Sequence, residues 1–171
     1  MADRCGRAYH CGVLTLSDKG SRGEREDTSG PLLQEMLRGA GFVVDAYEVV
    51  PDQEDLIVAT LVQWVDERRL DLIVTTGGTG VAPSDRTPEA TRRVITTEVP
   101  GLAEAMRQTS LAKTMQAVWS RAVAGIRGDC LIINLPGSRK AAQENLETVL
   151  SALGHGIEKL QGGEADCGQV D

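Results

Sequence analysis

One stretch of the chain combines residue types that can bind an anion: TTGGTGVAPSDRTPEA, from Thr75 to Ala90. It follows an apolar run at 70–74, which is typical of a buried strand, and it leads into a helix start. Glycines allow positive φ angles and a close approach to the backbone, so successive amide N–H groups can form an anion-binding concavity. Threonine hydroxyls would add donors. We therefore predict phosphate contacts from Thr76, Gly77, Gly78, Thr79 and Gly80.

Two common glycine motifs do not fit this loop. A P-loop requires lysine after its last glycine, but Val81 follows Gly80. The dinucleotide-binding motif requires a third glycine at the position of Pro83. A tight strand-to-helix turn that binds no ligand remains the alternative.

Two aspartates add a second chemical feature. Asp85 lies in the same loop, although Thr87 as N-cap already explains the helix start. Asp52 follows the second predicted strand, and adjacent parallel strands would bring the 52 and 85 loops together. A carboxylate beside bound phosphate favours a bridging Mg²⁺, so the pair is predicted to bind metal or act as a base. Alternatively, Asp85 makes a local turn bond and Asp52 caps a helix.

A second loop, Asn134 to Ser138, also follows an apolar strand and precedes a helix. Its open amides predict another anion site. Lys140 would lie in the first helical turn, where a cation is mildly unfavourable. Its presence there indicates a role with a ligand. An ordinary solvated lysine is the equal alternative. Four arginines are further candidates for this crevice, although any one of them is more often a surface charge: Arg86, Arg92, Arg121 and Arg139.

The elements that would position these loops alternate between strand and helix. Apolar strands are predicted at 7–17, 42–50 and 70–74, with helices after each, and two further strands joined by a tight turn at Gly128-Asp129. This order predicts an α/β fold with three αβα layers and a mostly parallel sheet that carries one antiparallel hairpin.

Composition limits the function classes. The chain has 171 residues and 41% apolar residues, which fits one domain. A formal net charge of −7 argues against nucleic-acid binding, and no apolar run is long enough to span a membrane. Four cysteines without a C-x-x-C pair predict reduced thiols and a cytoplasmic protein rather than a zinc site.

Five segments together resemble the MogA/MoaB family of molybdenum cofactor biosynthesis proteins. They are LTLSDKGSRGEREDTSGP (14–31), VPDQ (50–53), TTGGTGVAPSDRTPEAT (75–91), SRAVAGIRG (120–128) and LIINLPGSRKA (131–141). TGGTG alone is shared with related molybdopterin-binding domains, whereas the whole set in this order is specific. The resemblance implies a molybdopterin-binding domain at 10–160. The N-terminal extension at 1–9 and the acidic tail at 161–171 lie outside the resemblance, and the composition of the tail predicts that it is flexible.

The resemblance also implies an activity, which is adenylyl transfer from MgATP to molybdopterin with release of pyrophosphate. Asp52 and Asp85 match the family's two functional acids and would bind Mg²⁺. A homotrimer is implied, with the downstream molybdate-insertion protein as a partner. A non-catalytic molybdopterin-binding or scaffold protein is the alternative. The nucleotide side would be formed by Ser17, Asp18 and Asp27, and the molybdopterin side by Asn134, Pro136, Gly137, Ser138 and Lys140.

Overall fold

The computed structural model describes residues 7–163. The predicted extension at 1–9 and the predicted tail at 161–171 therefore fall mostly outside the described residues, and the proposed domain bounds stay a prediction. Gln161 is described, and its side-chain amide donates to the carboxylate of Asp71 at 2.5 Å. Within residues 7–163, no helix is both long enough and apolar enough to cross a bilayer.

Six strands form one mixed sheet: β1 (His10–Leu16), β2 (Val43–Val50), β3 (Leu72–Thr76), β4 (Thr97–Glu98), β5 (Ala124–Arg127) and β6 (Cys130–Leu135). Their spatial order is β2-β1-β3-β6-β5-β4. Strands β1, β2, β3 and β6 are parallel, and β5 runs antiparallel to both β6 and β4. This confirms the predicted mostly parallel sheet and its hairpin, which turns at Gly128 with φ of 55°.

The helices are α1 (Asp18–Ser21), α2 (Ser29–Gly39), α3 (Glu54–Asp66), α4 (Thr87–Val94), α5 (Pro100–Leu111) and α6 (Arg139–Leu160). A 3-10 helix, Met115–Trp119, follows α5. One core cluster includes apolar residues of α2, α5 and α6, and the other includes residues of α3 and α4. Helices therefore cover both faces of the sheet, which confirms the three-layer architecture.

Strand burial follows position in the sheet. Every residue of β3 and β6 is buried, as expected for apolar strands covered on both faces. Strand β2 is an edge strand, and Ala46 is its one buried residue. Its sequence, VVDAYEVV, accordingly includes charged residues.

The parallel strands end at one level. Leu16 pairs with Val50, Thr15 with Thr76, and Thr76 with Leu135. The loops that leave β1, β2, β3 and β6 therefore begin side by side at the carboxyl edge of the sheet, which is where open α/β sheets bind ligands.

The polar stretch after β1 begins with the short helix α1, capped by the Ser17 hydroxyl. One local prediction was wrong. Thr87 was predicted as the N-cap of α4, but the N-cap is Arg86. The buried Thr87 hydroxyl instead donates to the carbonyl of Gly77 at 2.8 Å and so ties the helix to the glycine loop.

Candidate functional site

A cleft of about 550 Å³ lies at the carboxyl edge of the parallel strands. It brings the two predicted acids, Asp52 and Asp85, to one surface beside Thr76, Gly77 and Gly78. The first and second predicted loops and the segment after β1 all contribute to its walls. The convergence on which the predicted chemistry depends is therefore present.

Asp52 is held by an exchange of hydrogen bonds with Asp18. The Asp18 amide donates to Asp52 Oδ2, and the Asp52 amide donates to Asp18 Oδ1, each at 3.0 Å. The predicted alternative, capping of α3, is wrong, because Gln53 is the N-cap of that helix. Burial raises the pKa of Asp52, and so do the charges of Asp18 and Asp85, while the Asp18 amide partly offsets this. The Asp85 carboxylate is thus close enough to raise the pKa of Asp52.

Asp85 makes the local turn bond that was considered as an alternative role. The Ala82 amide donates to Asp85 Oδ2 at 2.8 Å, and the Asp85 amide donates to the Ala82 carbonyl at 2.9 Å. This turn fixes the carboxylate at the cleft rather than removing it from the cleft. Local bonding and a role toward a ligand are therefore compatible at this position.

Two of the three glycines in the loop have the positive φ angles that the sequence predicts. Gly77 and Gly78 have φ angles of 106° and 61°, which side chains rarely adopt. A Cβ at Gly78 would lie 2.4 Å from Thr87 Oγ1 and 3.0 Å from Asp52 Oδ1. Glycine is therefore required here both for backbone conformation and for space beside the acid.

The threonines of this loop are used inside the protein. The Thr76 hydroxyl donates to the Pro136 carbonyl at 2.7 Å, and Thr75 accepts from the Asn134 amide at 3.0 Å. Thr79 is buried and lines a second cavity. The Thr76 hydroxyl proton is used by Pro136, so the backbone of the loop is the better candidate for phosphate contacts, and the contact predicted for Thr76 stays a prediction.

The two predicted loops are joined to each other. The Gly77 amide donates to the Leu135 carbonyl at 3.2 Å, and a Cβ at Gly137 would lie 3.2 Å from Gly77 Cα. The Ser29 hydroxyl donates to the Gly137 carbonyl at 3.0 Å and adds α2 to this contact. The loops therefore form one continuous wall.

A second cavity of about 390 Å³ lies on the other side of this wall. Thr79, Gly80 and Pro136 line it, and Gly137 and Ser138 line both cavities. The Ser138 hydroxyl accepts from the Ala141 amide at 3.2 Å as the N-cap of α6, near which the sequence placed the helix start.

Ser17 and Asp27 line the first cleft, on the side of α1 and α2. Asp27 accepts hydrogen bonds from the Thr15 and Tyr47 hydroxyls at 2.6 and 2.8 Å, and from two main-chain amides at the start of α2. Burial alone would raise the pKa of Asp27, but these four bonds together lower it. Asp27 therefore remains ionised and mainly holds the loop that precedes α2.

Three predicted site residues do not reach either cavity wall. Asn134 is fully buried, where its side-chain amide donates to Thr75 and Thr91 and its Oδ1 accepts from the Val123 amide. Its predicted contact with a ligand is therefore wrong. Lys140 is exposed on α6 and lines neither cavity. Asp18 also lines neither cavity, and its main-chain amide donates to the Asp52 carboxylate.

Cations come to the first cleft from other positions. Arg139, one of four arginines considered, lines it, as does Arg25, which sequence reasoning missed. Arg25 lies in a polar loop without a periodic pattern, so no sequence signal indicated that Arg25 would line the cleft. Arg92 pairs instead with Glu98 at 3.1 Å, away from the site.

A larger cavity than these two, about 840 Å³, lies at the opposite end of the sheet. It includes Asp71, which is already bonded by Arg7, by the His10 amide and by Gln161. Its polar groups stabilise the fold where the strands begin. The carboxyl edge remains the better candidate site.

The donor set suits a hard cation that is shared with phosphate. Among residues 7–163, no three His, Cys, Asp or Glu side chains are gathered to hold a metal alone. Mg²⁺ does not require this, since it commonly binds one or two carboxylates together with phosphate oxygens and water. Asp52 Oδ1 faces Gly78, and the mutual effect of two nearby carboxylates would be relieved by a divalent ion.

The chain is similar to known proteins over most of its length. A molybdopterin adenylyltransferase of Helicobacter pylori (strain J99) is 45% identical over 160 residues, covering 91% of this chain and 90% of that protein. Its counterpart in Escherichia coli K12 is 43% identical over 152 residues, covering 85% and 78%. The crystal structure of the molybdopterin biosynthesis enzyme MoaB from Thermus thermophilus has a TM-score of 0.86 and 55% identity, covering 90% and 97%. A family model described as the probable molybdopterin binding domain matches residues 12–155, and the chain therefore belongs to that family.

Proposed function

We propose that the chain is a molybdopterin adenylyltransferase of molybdenum cofactor biosynthesis. It transfers AMP from MgATP to the phosphate of molybdopterin, giving adenylyl-molybdopterin and pyrophosphate. One observation carries the proposal: Asp52 and Asp85 share one cleft with the Gly77-Gly78 cradle, in a chain that is 45% identical to a protein of that name.

The reaction requires alignment more than acid–base chemistry. An oxygen of the molybdopterin phosphate forms a bond to the α-phosphorus of ATP, and the bond between that phosphorus and the oxygen bridging to the β-phosphate breaks. Pyrophosphate leaves, so atoms and charges balance without another reactant. The attacking phosphate is already ionised near neutral pH, so positioning and charge neutralisation supply the catalysis.

The residues divide this task. Asp52 and Asp85 would hold Mg²⁺, which when bound neutralises charge on the phosphates of ATP. The positive-φ backbone at Gly77 and Gly78 would present the Gly78 amide to phosphate, because the Gly77 amide already donates to the Leu135 carbonyl. Arg139 adds positive charge at the start of α6.

Two adjoining cavities suit two reactants. We assign ATP to the 550 Å³ cleft, which Ser17 and Asp27 line. Molybdopterin is assigned to the 390 Å³ cavity beyond the shared wall, where Trp119 offers an aromatic surface. The wall at Gly137 and Ser138 would bring the two phosphates together.

Three further points belong to the proposal. The resemblance favours a homotrimer and a handover of the adenylylated product to a molybdate-insertion protein. No role with nucleic acid is proposed for a chain of net charge −7. A cytoplasmic location stays a prediction from the sequence.

The main competing function is a molybdopterin-binding or scaffold protein without catalysis. The paired acids favour the enzyme, because carboxylates beside a phosphate site weaken anion binding unless a cation is used. Purified protein incubated with MgATP and molybdopterin should release pyrophosphate and form adenylyl-molybdopterin, detected by mass. Tight molybdopterin binding without pyrophosphate release would support the scaffold instead.

A further inference from the structure

Arg121 follows the 3-10 helix, and its side chain reaches the glycine loop. Its Nε donates to the Gly80 carbonyl at 2.5 Å, and its Nη2 donates to the Asp85 carbonyl at 2.8 Å. Its main-chain amide donates to the Thr79 carbonyl at 2.9 Å. One residue therefore binds both ends of the 80–85 turn.

The turn between these ends determines where the Asp85 carboxylate lies. Ala82 and Asp85 exchange hydrogen bonds inside it, one of them to the carboxylate itself. A Cβ at Gly80 would lie only 2.9 Å from Asp85 Oδ2, so the carboxylate also lies against the backbone at the start of the turn. Any opening of the turn would therefore displace the Asp85 carboxylate.

Glu89 holds the guanidinium of Arg121 from behind. Arg121 Nη1 donates to Glu89 Oε1 in the first turn of α4, and both side chains are one-third exposed. The planar guanidinium can bind two carbonyls and one carboxylate at once, whereas the single ammonium of lysine cannot span all three. The contact differs from the half-exposed surface pair of Arg92 with Glu98.

We infer that Arg121 is a positioning residue for adenylyl transfer, which keeps the 80–85 turn closed so that the Asp85 carboxylate stays aligned with Asp52 across the cleft. The inference rests on the proposed function. It assigns Arg121 no contact with substrate, so its effect must pass through Asp85.

The first test separates positioning from binding and from folding. Arg121→Lys should lower kcat by about tenfold to a hundredfold, as expected for a displaced catalytic group, with the KM for molybdopterin changed less than about twofold. Glu89→Gln, which keeps an oxygen acceptor, should have a smaller effect of the same kind. Arg92→Lys is the matched control and should retain wild-type kcat. Thermal unfolding shows whether each variant folds. If Arg121→Lys does not fold, the kcat of Glu89→Gln tests the inference instead.

The second test asks whether the effect passes through Asp85. MgATP affinity is measured by calorimetry for Arg121→Lys, Asp85→Asn and the double variant. If Arg121 acts through Asp85, the double variant should bind no more weakly than Asp85→Asn alone, because groups that act as a unit are not additive. Losses that multiply would overturn the inference.

The results distinguish the inference from the function on which it rests. If the wild-type protein releases no pyrophosphate from MgATP and molybdopterin, the proposed function fails and this role with it. If the wild-type protein is active but Arg121→Lys has an unchanged kcat, only the positioning role is overturned. The same holds if Arg121→Lys changes the KM for molybdopterin alone.

Discussion

Asp18 and Asp52 each accept a hydrogen bond from the other's main-chain amide, at 3.0 Å in both directions. The segment after β1 and the segment after β2 thereby fix each other, although 34 residues separate the two positions. The carboxylate of Asp52 is thus oriented by a residue that does not line the cleft.

Removal of that support should reduce catalysis. Asp18→Ala loses the acceptor for the Asp52 amide and should lower kcat by about tenfold, on the order of 1.4 kcal/mol in the activation free energy. Asp18→Asn keeps an oxygen acceptor and should retain most activity. Steady-state pyrophosphate release measures both variants. Equal losses in the two would show that the Asp18 charge matters rather than its hydrogen bond.

Asp85→Asn should leave the fold intact while reducing turnover by at least about a hundredfold. The amide oxygen can still accept from the Ala82 amide, so the turn persists, but the charge that would bind Mg²⁺ is lost. Thermal unfolding and pyrophosphate release check the two halves of this expectation. Glu35→Gln, an exposed position on α2, is the control. A collapsed unfolding transition for Asp85→Asn would mark the residue as structural.

Gly78→Ala should weaken both folding and MgATP binding. The φ of 61° disfavours a side chain, and the new Cβ would lie 2.4 Å from Thr87 Oγ1. A cost of at least about 2 kcal/mol is expected from backbone strain and overpacking. Gly39→Ala is the control, since no atom lies within 4 Å of its Cβ position. Denaturant unfolding of both variants should show a loss at position 78 alone.

Asn134→Ala should destabilise the protein by about 3 kcal/mol, because three buried hydrogen bonds are lost. The KM for molybdopterin should change less than about twofold in the folded fraction. Gln143→Ala, which removes one exposed bond, should change the unfolding free energy by less than about 0.5 kcal/mol. A raised KM at normal stability would return Asn134 to the ligand site.

Asp27 should contribute a stabilisation that acid removes. Its pKa is lowered in the folded protein, so the contribution is complete above the unfolded pKa, about 3.9, and is lost as the pH falls through the folded value. The stability difference between wild type and Asp27→Asn should therefore be constant near neutral pH and shrink below about pH 4. Tyr47→Phe removes one of the four donors and should weaken the same dependence. Urea unfolding at several pH values measures it.

The regular elements and the glycine loop were predictable because their signals are local. Apolar runs marked the strands, and the three glycines indicated positive φ angles, which Gly77 and Gly78 have. The predicted adjacency of β2 and β3 is wrong, because β1 lies between them, but all three strands are parallel and end at one level, so Asp52 and Asp85 still line one cleft.

Side-chain directions were less predictable, because they depend on partners far away in the chain. Asn134 turns inward to meet Thr75 and Thr91, which no local pattern indicates. At the start of α6 the sequence pointed to Lys140, but the phase of the helix brings Arg139 to the cleft instead. Arg121 likewise became interpretable only with its partners at Gly80, Asp85 and Glu89 in place.

Gly137 lies close to Gly77 and lines both cavities, so the two cavities share one wall. If one ligand orders the residues of this wall, they are already ordered when the second ligand binds. If the two proposed occupants affect each other through this wall, thermodynamic reciprocity requires each to change the binding free energy of the other by the same amount.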